Sequence, residues 1–215
     1  MQLTSTDCLL IIDVQNDFLP GGALAVPDGY QVIPVVNRLA KAFGPVGRTV
    51  LTQDWHPAEH VSFAANHPGT QPFGMIDLPY GQQVLWPVHC VQHSKGAALA
   101  DGLDVPHAQL IIRKGYHPHI DSYSAFFEAD RKTPTGLLGY LRELGVKRVF
   151  CVGLATDFCV AWSALDARAA GLDVAVIEDA CRAIDLNGSL AQAWQRMTDA
   201  GIARLQSPDV LNTLS

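Results

Sequence analysis

The chain has 215 residues, of which 48% are hydrophobic and 17% charged, with a formal net charge of −6. That balance excludes a disordered chain, and the absence of repeats, low-complexity tracts and Gly/Ser linkers makes one domain, 1–215, the simplest organisation. Acidity without a lysine or arginine cluster argues against nucleic acid or an anionic membrane as partner and leaves a small molecule as the expected ligand.

The longest apolar runs are strand-length pieces such as CLLII rather than membrane spans. Met1 to Asp7 shows no basic segment followed by a long apolar stretch, so a cytoplasmic location is expected, with the oligomeric state, monomer or homo-oligomer, left open. Five cysteines, with no CxxC pair, fit reduced thiols better than a disulfide framework.

In chain order, CLLIID reads as a strand ending at Asp13, because Pro20 and two glycines stop any continuation. Val32, Val35, Val36, Leu39 and Phe43 recur at helical spacing until Gly44 and Pro45. TVLTQD is a second strand, ending at Asp54. From there to Gln109 the chain is irregular but holds six of the eight histidines and several aromatic residues, which reads as an ordered, functional excursion. LIIRK is a third strand ending at Lys114. Thr133 and Pro134 resemble an N-cap and first helical residue, with Leu137, Leu138, Leu141 and Leu144 as the buried stripe and Gly145 as the C-cap. VFCVGL is the fourth strand, and a turn and helix from Leu154 to Gly171 follow it. DVAVIED, a helix from Ser189 to Ala200 and a short strand near Ile202 complete the pattern.

Strands alternating with helices predict a doubly wound, mainly parallel β-sheet flanked by helices on both faces. Ligands bind such folds at the C-terminal strand ends, where Asp13, Asp54, Lys114 and the turn before Cys159 all fall. Cys159 sits in a first helical turn, two residues past Asp157 as the apparent cap, where unpaired N–H groups favour a thiolate. A cysteine with Asp13 as base and Lys114 to orient the charges is a complete apparatus for acyl transfer; the plainer reading of Asp13 and Lys114 is a buried salt bridge. DWHPAEH brings Asp54, His56 and His60 into a short span that His89 could close. Asp and His ligands without cysteine suit one divalent cation, Zn first, with Fe or Mn as alternatives.

DVQNDF at Asp13, TQDWHPAEH at Asp54, WPVHC at Trp86, RKG at Lys114 and GLATDFCV at Gly153, in that order, resemble the nicotinamidases of the isochorismatase-like cysteine hydrolase superfamily. The resemblance implies a triad of Asp13, Lys114 and Cys159, with metal on Asp54, His56 and His89. His60 matches a ligand that some members use and others replace by water. Oxyanion donors on Ala155 and Cys159 are implied, with a cis Leu154–Ala155 peptide, as is a ring pocket of Phe18, Leu24, Trp86, Tyr123 and Phe158. The activity implied is hydrolysis of nicotinamide to nicotinate and ammonia in NAD salvage, with pyrazinamide as a further substrate. Competing readings are an amidase of carbamoyl or ureido compounds, an iron oxygenase that needs no Cys159, and a non-catalytic metal or nucleotide-binding module.

Overall fold

The protein is described by a computed structural model over residues 2–211; Met1 and 212–215, part of the expected domain, lie outside the described residues. Among the described residues the main sheet has strands β1 (Asp7–Ile12), β2 (Arg48–Asp54), β5 (Leu110–Lys114), β6 (Arg148–Leu154), β7 (Asp173–Arg182) and β8 (Ala203–Leu205). Their order is β5-β2-β1-β6-β7-β8, with every neighbouring pair parallel. The chain therefore winds outward from β1 in one direction and from β6 in the other. The switch point between them is where such sheets open a crevice.

Alternation along the strands divides the core in two. Leu9, Ile11, Leu51 and Val152 face helix α1 (Val32–Phe43) and the short α5 (Ser207–Leu211). Cys8, Leu10, Ile12, Val149 and Val176 face α2 (Leu137–Glu143), α3 (Ala161–Ala169) and α4 (Ser189–Asp199). With both faces covered, the strands read as continuous apolar runs, which is what made them visible in the sequence.

Two local expectations are corrected. Helix α2 begins at Leu137, not after Thr133 and Pro134. Asp130 draws in the amide and hydroxyl of Thr133, and Pro134 bridges Phe127, so this pair closes a loop instead of capping a helix. Asp157 does not cap the turn before α3 either. Its carboxylate accepts from the amides of Ile184 and Asp185 and from the Ser189 hydroxyl, tying that turn to the segment after β7.

The excursion between β2 and β5 is ordered. It carries a separate antiparallel hairpin, β3 (Met75–Leu78) and β4 (Gly81–Val84), and returns to the sheet through isolated bridges Gln15–Leu99, His56–Val91 and Phe63–Trp86. Those bridges bring the histidine-rich loop over the strand ends.

Candidate active site

Four adjacent strands each deliver one group. Lys114 ends β5, Asp54 ends β2, Asp13 follows β1, and Cys159 lies in the turn after β6. That turn, Thr156–Val160, is a π-helical turn rather than the start of a regular α-helix, a wide geometry common at functional sites. The Leu154–Ala155 peptide that precedes it is cis.

Lys114 is fully buried, and its ammonium lies 2.8 Å from Asp13 Oδ2, 2.5 Å from Asp54 Oδ1, 3.0 Å from the Ser122 carbonyl and 3.5 Å from Cys159 Sγ. Burial favours the neutral amine, but Asp13 and Asp54 outweigh it and hold the ammonium well above its ordinary range. Thr52 fixes Asp13 from both sides, its hydroxyl donating to Oδ1 at 2.5 Å and accepting the Asp13 amide at 3.1 Å. Asp13 Oδ2 forms the ion pair with Lys114 and is the oxygen that Thr52 does not hold, which makes it the one placed to take a proton.

Burial pushes the Asp13 carboxyl up; Lys114 opposes that shift and Asp54 adds to it. The Cys159 thiol is pushed well up by burial, again against Lys114 and with Asp13 and Asp54 reinforcing. The first-turn position therefore does not by itself produce a thiolate. In this dry site desolvation and two carboxylates exceed a helix terminus, so the thiol needs a base, and oxygens of Asp13 and Asp54 lie with Sγ in one group no wider than 4.8 Å.

On the other side of Lys114, ligand atoms of Asp54, His56 and His89 also lie within 4.8 Å of one another, all three residues buried. His56 Nδ1 donates to the Gly115 carbonyl at 2.7 Å and His89 Nδ1 to the Pro87 carbonyl at 2.8 Å. Those bonds orient the rings and aim each Nε2 at Asp54 Oδ2, at 3.4 and 3.8 Å, the arrangement of a metal-ligating histidine held by its outer neighbours. Gly115 makes this possible, since a Cβ there would stand 2.4 Å from His56 Cε1. Burial works against the Asp54 charge, but Lys114 and His56 hold its carboxyl well below the usual range. One carboxylate oxygen and two imidazole Nε2 atoms are a donor set that fits a divalent cation with open positions.

His60 is not brought into that group. Its Nε2 pairs with the Ile120 carbonyl at 3.2 Å and its Nδ1 with Ser62 Oγ at 2.7 Å, and its ligand atom groups instead with those of His56 and Asp121, within 4.8 Å of one another. Burial and the neighbouring His56 push it down to about 4.

All five expected ring-pocket residues line one pocket together with Asp54, His56, His89, Ala155 and Cys159. Trp86 packs edge-on against Phe158 at 4.9 Å and donates from Nε1 to the Tyr123 hydroxyl at 3.0 Å. Asp121 and Ile184 also line it and were missed: Asp121 lies in the loop beyond the end of β5, and Ile184 is an apolar residue with no chemical signal of its own. Ile184 packs against the core, and its N–H donates to the Asp157 carboxylate at 3.1 Å. Gln15 was missed as well, although it lies inside DVQNDF. Its side-chain amide accepts from the Asp54 amide and donates to the Asp54 carbonyl, at 2.8 and 2.9 Å, as a neighbouring strand would.

A doubly wound sheet with a cysteine, an acid and a lysine at its switch point, beside a cation-type ligand set, has the layout of a hydrolase working through a thiol. The chain belongs to the isochorismatase family, whose Isochorismatase domain profile matches residues 7–208. It is 57% identical to a nicotinamidase of Acinetobacter baylyi over 98% of this chain and 97% of that protein. Among solved structures, a nicotinamidase pyrazinamidase of Acinetobacter baumanii superposes with a TM-score of 0.94 at 59% identity, covering 97% of this chain and 99% of that one. A pyrazinamidase of Pyrococcus horikoshii, solved in complex with zinc, gives a TM-score of 0.78 at 36% identity over 94% of this chain and 99% of that one.

Proposed function

We propose that this protein is a cytoplasmic nicotinamidase that hydrolyses nicotinamide to nicotinate and ammonia in NAD salvage, and that pyrazinamide is a further substrate. The observation that carries the reading is one pocket whose lining joins Phe18, Trp86, Tyr123 and Phe158 to Cys159 and to Asp54, His56 and His89. A flat ring held between Phe18, Trp86 and Phe158 would present its carboxamide to the thiol and its ring nitrogen to the histidines. A divalent cation on Asp54, His56 and His89, zinc first with iron or manganese as alternatives, would supply a Lewis-acid anchor for that nitrogen or its water.

In this mechanism Asp13 takes the Cys159 proton as Sγ attacks the carboxamide carbon. The amides of Ala155 and Cys159 receive the oxyanion, a contact whose loss typically costs about 2.7–4 kcal/mol. Lys114 stays protonated and keeps the thiolate and the carboxyl in register. Asp13 passes the proton to the departing amine, which leaves as ammonia. Water, deprotonated by Asp13, then attacks the thioester, and the thiolate recovers the proton as nicotinate leaves.

The test is ammonia release from nicotinamide by the native protein, by chelator-treated protein and by Cys159→Ala. Activity is expected only in the first, with recovery of the second on adding zinc. Hydrolysis of an N-carbamoyl compound with nicotinamide untouched, or unchanged turnover by Cys159→Ala, would overturn the reading.

A further inference from the structure

Asp17, in the DVQNDF segment, sits one residue before Phe18 and belongs to neither the triad nor the ligand set. Its Oδ2 accepts the Cys90 amide at 2.7 Å and its Oδ1 the Ala23 amide at 3.3 Å. Its backbone is tied on both sides, donating to the Gly96 carbonyl and accepting the Leu24 amide, each at 3.0 Å. Cys90 directly follows His89 and adopts φ +46, a left-handed conformation that a residue with a Cβ holds only when its surroundings fix it. The Cys90 peptide is gripped at both ends, since its carbonyl accepts the His56 amide at 3.0 Å. Gly96 is shaped for the same carboxylate: a Cβ there would stand 2.0 Å from Asp17 Oδ2.

We propose that Asp17 is a positioning residue for the cation site, holding the left-handed Cys90 peptide and through it setting the aim of His89 relative to His56. The same residue anchors Phe18 and Leu24 of the ring pocket, so the pocket wall and the ligand set share one brace. The carboxylate acts through geometry rather than charge, as an acceptor held at a fixed place. The inference rests on the reading of Asp54, His56 and His89 as metal ligands.

Zinc binding to the metal-free full-length protein, measured by competition with a chromophoric chelator and without substrate, tests it. Asp17→Ala is expected to weaken zinc about tenfold or more, the range for an outer support of a ligand. Asp17→Asn keeps an acceptor oxygen and is expected to stay within about threefold of native, a rescue that loss of charge alone does not predict. Gly96→Ala, which displaces the carboxylate without removing it, is expected to weaken zinc as Asp17→Ala does; it also decides the matter if Asp17→Ala does not fold. Native-like zinc affinity in folded Asp17→Ala or Gly96→Ala overturns the inference alone. Failure of the native protein to bind zinc overturns the metal reading together with it.

Discussion

Thr52 shows how much of the chemistry hangs on a residue that touches no substrate. Its hydroxyl donates to Asp13, and that bond favours the ionised carboxylate against the upward pressure of burial. In Thr52→Val the shape is nearly kept and the donor lost, so the Asp13 carboxyl rises further. If Asp13 must be ionised to accept the thiol proton, the acid limb of the kcat/KM profile moves to higher pH, and kcat near neutrality falls about tenfold. An unmoved limb in a pH-rate series would exclude Asp13 as the base. Asp13, Lys114 and Cys159 were legible in the sequence because a charged or reactive residue at a strand end is conspicuous beside apolar runs. Thr52, Gln15 and Asp17 were not. Thr52 is hidden among strand-forming neighbours, and the other two act through bonds to Asp54 and Cys90, which only the folded chain brings near.

At the scale of elements, β6 passes β1 at Gly153 with no room for a side chain. Gly153 has φ +115, and a Cβ there would stand 2.1 Å from the Ile12 carbonyl oxygen, just before Asp13. The pairing of β6 with β7 also shifts register between Cys151 and Gly153, an irregularity of the kind that re-aims a strand beside a site. Gly153→Ala is expected to destabilise the fold by more than about 3 kcal/mol, because the clash is with backbone and cannot be relieved by a side chain. Urea unfolding within about 1 kcal/mol of native would show that the strands can part without cost. The sheet and its helices could be read from periodicity because they are buried on both faces. The hairpin β3–β4 could not: its short strands are largely exposed and the one residue it buries fully is the polar Gln83, so it carries no apolar alternation.

At the scale of the whole molecule, the interior holds acids that composition cannot reveal. Glu128 is almost fully buried, with neither carboxyl oxygen hydrogen-bonded, since the nearby Ser122 hydroxyl donates to the Ser124 carbonyl. Burial lifts its carboxyl from 4.5 to about 7. A group raised on folding supports the native state fully below its unfolded value and loses that support as pH climbs through the folded one. Glu128→Gln should therefore gain stability relative to the native protein between pH 4.5 and 7, by about 3 kcal/mol at most. Denaturation curves at pH 5 and pH 8 check it, and an identical difference at both would show that Glu128 does not titrate on unfolding.

The four neighbouring strands that each deliver one reactive group also bear on how the enzyme comes into being. Asp13 and Cys159 belong to β1 and the turn after β6, which pair across most of the chain's length, with Lys114 and Asp54 arriving from β5 and β2. No local segment can form even a partial catalytic unit, and pairings of such long sequence separation are the slow ones in folding. During refolding, catalysis should therefore be among the last signals to return, after helix content and after compaction, which makes ammonia release a reporter of complete tertiary assembly.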